Sequence, residues 1–354
     1  MKAALMNASE RIPKRRRKTL NVAGCAVLPV LLAFGSAGSA QAADGEWSLL
    51  FEPMYMDAFG HDRHILTIHE IDLGSTPTTD TTTPVTLETD SGLAARFELQ
   101  YTRADWGLGL DFFWFDTSQG RPARTAAANA PTGPNDQVVF EIGGRSFTSN
   151  DPGEVLLFSV LEDTDMIAWT VDLYAFKALV ETPEGGLQLQ FGLRNADFDN
   201  DYHSVTAVQD VAGSLVDASS NYPRMIGPLV GLSGEAHFGR NSIRGYIGQS
   251  VIFGTVELRH TTRDFTGPVS DTPTIVATET FGKDQDVAIP ITEFRLNWLY
   301  PISQHFALGV SANTSVWWDV PVPPGVIPIS EGDQVFEENT IVYFGLALAV
   351  KFRL

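Results

Sequence analysis

From Leu93 onward the sequence changes chemical character at every residue. In LAARFELQYT, Leu93, Ala95, Phe97, Leu99 and Tyr101 alternate with Ala94, Arg96, Glu98, Gln100 and Thr102. In WGLGLDFFWFD, Trp106, Leu108, Leu110, Phe112 and Trp114 stand opposite Gly107, Gly109 and Asp111. Side chains of a β-strand point alternately to its two faces, so this period of two specifies strands with one apolar face and one small or charged face. Only Arg103, Ala104 and Asp105 separate the two runs, which calls for a tight hairpin turn. The same grammar returns in IAWTVDLYAFKAL, LQLQFGLR, IGPLVGLSGEAHF, SIRGYIGQSVIFG, TEFRLNWLY, FALGVSANTSVWW and the closing FGLALAVKFRL. Helical apolar spacing with caps is hard to find beside it, so the class is all-β.

The N-terminus carries different information. Lys14 to Lys18 is a basic run, Cys25 to Phe34 is mostly apolar, and small residues follow up to Ala40, Gln41 and Ala42. That order is the order of a secretory signal peptide, predicted to be cleaved after Ala42 or Ala43. Residues 1–42 are therefore expected to be an export signal and residues 43–354 the folded protein. The only cysteine, Cys25, lies in the signal, so disulfides and thiolate metal sites are excluded from the rest. Seven of the 24 basic residues and one of the 43 acidic residues lie in the first 42, which leaves 17 basic against 42 acidic. A chain this acidic is not expected to bind nucleic acid through its bulk charge.

Past the signal, no stretch reaches the roughly 18 consecutive apolar residues a membrane helix needs, so only strands can cross a bilayer. The connections alternate in length. Tight turns follow Thr102, Val180, Phe238 and Tyr300, whereas Gly60 to Gly92, Ser118 to Asp165 and Phe198 to Tyr222 read as long loops rich in Thr, Pro, Asp and Asn. With a first strand in GEWSLLFEPMYMDAF, this predicts an antiparallel transmembrane β-barrel of about ten strands, with short periplasmic turns and long extracellular loops in the cell outer membrane. Val138 to Ile142 with Val155 to Val160 offer a further hairpin, which would make twelve. Trp106, Trp114, Trp298, Tyr300, Trp317 and Trp318 suit aromatic girdles at headgroup level. In lipid a sheet edge is intolerable, so the last strand must pair with the first.

Ile226 to Gly254, IGPLVGLSGEAHFGRNSIRGYIGQSVIFG, resembles the I-G-P-x-x-G-L hairpin of the pore-forming Legionella-type major outer membrane protein family. VDLYAFKAL with LQFGLRNADFD, ITEFRLNWLY followed by SANTSVWW, and the terminal YFGLALAVKFRL resemble that family's later hairpins and last strand, so the likeness covers roughly residues 165–354. The resemblance implies an outer-membrane pore-forming barrel and carries no catalytic residues. The chain departs from the usual terminal aromatic, with Leu354 last and Phe352 two before it.

If the apolar faces look outward, the lumen receives Arg96, Glu98, Asp111, Asp172, Arg194, Glu235, Arg244, Glu293, Arg295 and Lys351, the candidate pore-lining residues. Two readings stay open: a narrow charge-lined path, or charges that pair across the lumen and hold it shut. The small inward residues, among them Gly107, Gly109, Gly192, Gly231 and Gly248, tip the balance toward a path. No cofactor and no metal site is expected. Asp197, Asp199 and Asp201 have the first spacings of a calcium loop but lack its glycine and its glutamate, where Tyr202 and Val208 stand. His61, His64 and His69 have no carboxylate or cysteine at a convincing offset. No catalytic residue is assigned; a hydrolase at the outer rim would draw on His203 beside Asp199 and Asp201, or on His260 near Asp264.

The leading expectation is a porin-like channel for passive diffusion of ions or small solutes. The alternative is a closed structural or adhesive barrel acting through its extracellular loops. Expected partners are outer-membrane lipid and lipopolysaccharide, and the barrel assembly machinery through the C-terminal strand.

Overall fold

The computed structural model describes residues 45–59, 64–72, 79–86, 91–117, 119–120, 124–128, 136–142, 145–149, 156–208, 212–266, 274–322 and 337–354. Its strands are β1 (Glu46–Phe59), β2 (His64–Asp72), β3 (Thr79–Thr86), β4 (Ser91–Arg103), β5 (Trp106–Asp116), β6 (Gln119–Gly120), β7 (Arg124–Ala128), β8 (Asp136–Ile142) and β9 (Arg145–Ser149). The longer ones follow: β10 (Leu156–Thr182), β11 (Gly185–Val208), β12 (Ala212–Phe238), β13 (Asn241–Thr266), β14 (Thr274–Pro301), β15 (Phe306–Val322) and β16 (Glu337–Arg353). The predicted signal, residues 1–42, lies outside the described residues, as does His61.

Ten strands form the ring, in the order β1, β4, β5, β10, β11, β12, β13, β14, β15, β16, all antiparallel. It closes where β16 returns to β1, with Ser48 opposite Arg353 and Phe59 opposite Val342. The final strand is thus paired on both sides, as the intolerance of lipid for an open edge requires. The short turns are those expected. Ala104 and Gly239 adopt φ of 52° and 62°, the left-handed conformation that lets two or three residues reverse the chain.

The outward face carries Phe51, Leu93, Leu108, Leu173, Phe191, Val230, Phe294, Leu346 and Leu348, all exposed. An apolar belt of this kind faces hydrocarbon in a transmembrane barrel. Trp47, Trp106, Trp298, Tyr300 and Trp318 are exposed among it. Trp317 departs from the girdle expectation: it turns inward and is 2% exposed.

Two expectations about the loops need correction. The segment around Val138 to Ile142 does not widen the ring to twelve. β8 instead joins β2, β3 and β9 in a separate four-stranded sheet, and the residues from Leu156 onward belong to β10. The segment Phe198 to Tyr222 is also mostly strand, since β11 runs on to Val208 and β12 starts at Ala212. Above the apolar belt neither face meets lipid, so the apolar periodicity that marks a strand fades while the backbone ladder continues. The chain changes face once on the way: the pairing of β12 with β13 skips between Asn221 and Ile226, where Arg224 has φ 56°. His64 and His69 fall on β2.

Candidate functional site

The interior of the ring is where the sequence places its charges, and the structure directs all ten candidates there. Their surroundings are not those of an open path. Arg96 donates from Nε to Asp111 at 3.0 Å and reaches Glu293 at 3.2 Å. Arg194 grips both oxygens of Asp172 at 2.7 and 2.5 Å, and the same side chain meets Glu293 at 2.6 Å. Arg295 reaches Asp111 at 2.6 Å, and Arg244 holds both oxygens of Glu98 at 3.0 and 3.1 Å. Four guanidiniums therefore meet four carboxylates, between neighbouring strands for Arg96 with Asp111 and Arg194 with Asp172, and across the ring for Arg244 with Glu98 and Arg295 with Asp111. Lys351 and Glu235 sit nearer the short turns at 4.0 Å from each other, the loosest contact of the set.

Uncharged groups complete this storey. Tyr174 donates its hydroxyl to Glu98 at 2.6 Å and receives Gln100 at 2.9 Å; Asn313 accepts from Arg96, and Asn297 donates to Glu52. The Arg295 guanidinium lies 3.8 Å from the centre of the Tyr246 ring. Buried charges are tolerable only when paired and hydrogen-bonded, and here the pairing extends from wall to wall.

Of the five inward glycines that suggested free space, four are covered by aromatic rings and Gly192 is pressed against the Leu173 carbonyl. An added Cβ at Gly109 would come within 2.2 Å of the Tyr174 ring, and one at Gly107 within 2.2 Å of Phe176. Gly231 and Gly248 both lie under Tyr246. The glycines make room for large neighbours on the adjoining strand rather than for solute.

Away from the short turns, the lumen is filled a second time. Tyr222, Phe198, Trp317, Tyr343 and Phe115 form a chain of rings with successive centroids 5.2, 5.9, 6.0 and 5.2 Å apart, each ring 2% exposed or less. They come from β12, β11, β15, β16 and β5, so the chain crosses the barrel. Tyr222 donates its hydroxyl to the carbonyl of Pro321 on β15, joining the irregular stretches of the two strands. Met54, Met56, Met166, Ile252, Ile289, Ile291 and Ile341 pack around the rings. Sequence reasoning missed this storey, although FFWF, Phe112 to Phe115, is apolar on both faces. Loss of alternation was the signal that the inside is filled.

At the outer end, Thr117, Asn200, Ser220, His260, Thr262 and Asp264 are buried polar residues on the inward face. His260 Nε2 lies 2.9 Å from Thr262 Oγ1. His203 turns to the other face. It meets Asp217 of the next strand at 2.6 Å rather than Asp199 or Asp201, and Arg263 takes the second oxygen of Asp217 at 3.1 Å. Asp197, Asp199 and Asp201 lie along β11, and no group of three metal-capable side chains occurs among the described residues.

No family model matches the chain, and no curated protein does. Solved structures similar to it are outer-membrane barrels. The outer membrane protease OmpT from Escherichia coli is 11% identical, with 90% of this chain and 100% of that one covered at a TM-score of 0.47. Neisserial surface protein A is 8% identical, with 86% and 96% covered and a TM-score of 0.28. The transport unit of the autotransporter AIDA-I from Escherichia coli is 8% identical, with 94% and 98% covered and a TM-score of 0.23.

Proposed function

We propose that this protein is an outer-membrane barrel closed to passive diffusion, whose work is done by the strand extensions and loops it holds above the outer leaflet. The observation that carries the reading is the double filling of the lumen, a layer of ion pairs beneath a packed aromatic layer. A porin-like channel would need both layers to part at once. The likeness of Ile226 to Gly254 to a pore-forming Legionella-type hairpin supports a barrel more than a pore, because its inward glycines Gly231 and Gly248 seat the Tyr246 ring. The reading is non-enzymatic: Asp217, which holds His203, is shared with Arg263, as in a cross-strand ion ladder. Export through the N-terminal signal, recognition of the last strand by the assembly machinery and contact with lipopolysaccharide belong to the same proposal.

The test is single-channel recording from the refolded protein in a planar bilayer under a salt gradient, with folding verified by heat-modifiable migration. A silent bilayer is expected. Discrete and reproducible conductance steps would overturn the proposal and restore the porin.

A further inference from the structure

The ionic layer holds one more carboxylate than it has guanidiniums. Asp111, Asp172, Glu98 and Glu293 are each bonded to an arginine. The fifth is Glu52 on β1, at 0% exposure, and no arginine among the described residues is bonded to it. Its Oε1 accepts from Asn297 Nδ2 at 2.7 Å, and its Oε2 has no hydrogen-bond partner. Arg96 is its register partner on β4, but that guanidinium is committed elsewhere: Nε, Nη1 and Nη2 donate to Asp111, Asn313 and Glu293. The other charged groups facing Glu52 are Glu98 on β4, which repels it, and Arg295 on β14, whose Nη1 donates to Asp111 at 2.6 Å. Ser311 on β15 is uncharged. On the β16 side, between the register pairs Phe51 with Val350 and Met54 with Ala347, stand only Leu348 and Ala349.

An ionised carboxylate buried without a bonded cation is strongly unfavourable, and the ordinary escape is to give up the charge. We infer that Glu52 holds a proton in the folded protein at neutral pH, the fifth countercharge of the ionic layer. A metal ion fits the same position poorly. Hard cations take about six oxygen ligands or more, whereas Asn297 turns its amide nitrogen toward Glu52, and no group of three metal-capable side chains occurs among the described residues. A proton needs no ligand shell. It leaves Glu52 a neutral group that still accepts from Asn297, and it brings the four arginines and five acids to zero net charge. The proton belongs to the ionic layer alone, so its presence is independent of whether the lumen conducts.

Unfolding exposes Glu52 to water, where a glutamate ionises above about pH 4.3. At neutral pH the wild type therefore releases one proton more on unfolding than Glu52→Gln does. Its unfolding constant, relative to that of Glu52→Gln, is expected to rise about tenfold per pH unit between about pH 6 and 8.

The test is infrared spectroscopy of the full refolded chain in detergent micelles at neutral pH. A carboxylic-acid C=O band is expected in the wild type, shifted by deuteration and by carbon-13 at the glutamate side-chain carboxyl, and absent from Glu52→Gln. Glutamine has the shape of glutamate and keeps the acceptor for Asn297, so the variant is expected to fold by heat-modifiable migration. No carboxylic-acid band in the wild type would overturn the inference, with no variant needed. A band that persists in Glu52→Gln would place the proton on another acid and overturn it too. A Glu52 carboxylate band that responds to exchange of sodium for choline, with the two unfolding constants in fixed ratio across pH, would put a metal cation there and overturn it as well.

Discussion

The Tyr174 ring covers Gly109 so closely that a methyl group on the glycine would lie 2.2 Å from it, while the hydroxyl of the same tyrosine donates to Glu98 at 2.6 Å. One residue thus both fills the lumen and fixes a carboxylate of the ionic layer. Gly109→Ala must push the ring off its seat, and overpacking of this kind costs about 1–3 kcal/mol. Tyr174→Phe leaves the ring and removes the hydroxyl's two hydrogen bonds, but Gln100 still donates to Glu98 at 2.8 Å, so the net cost is about 1 kcal/mol. Urea unfolding midpoints in detergent are expected to fall further for the glycine variant.

Arg194 joins Asp172 and Glu293 with 1% of its side chain exposed. Replacing it by Met strands the buried Asp172, while Glu293 keeps Arg96 at 3.2 Å, and breaking such a pair costs about 3–5 kcal/mol. Adding Asp172→Leu removes the stranded charge and is expected to recover part of that loss. A double-mutant cycle on unfolding free energies checks the sign, which must be a recovery.

The lumen is sealed twice, so opening one seal is expected to leave it shut. Trp317→Ala with Tyr343→Ala hollows the aromatic layer but keeps the ion pairs, and Arg96→Ala with Arg295→Ala does the reverse. Neither double variant is expected to conduct in a planar bilayer. The four substitutions together are expected to yield discrete openings, provided the barrel still migrates as folded.

At the outer rim the electrostatics weaken. Asp217 is 40% exposed and pairs with His203 and Arg263 in contact with water. Exposed pairs contribute about 0–1 kcal/mol and are screened by salt. Asp217→Asn is expected to shift the unfolding midpoint far less than Arg194→Met, and the shift is expected to shrink as salt is raised.

The sequence by itself determined the barrel. Alternation in segments such as Leu93 to Thr102 assigns each side chain to a face, the tight turns at Ala104 and Gly239 set which strands are neighbours, and the absence of a long apolar run leaves strands as the only way across a bilayer. It also determined which ten charged residues point inward, because strand parity is a local property. What those residues meet there was decided by tertiary structure alone. Arg244 finds Glu98 146 positions away, and the ring chain from Tyr222 to Phe115 draws on five strands; contacts of this kind depend on ring closure and on the shift of face between Asn221 and Ile226. A glycine reads the same in sequence whether it leaves a gap or lies under a ring. Only the position of Tyr174 and Tyr246 on the adjoining strands distinguishes a lumen with space from one that is full.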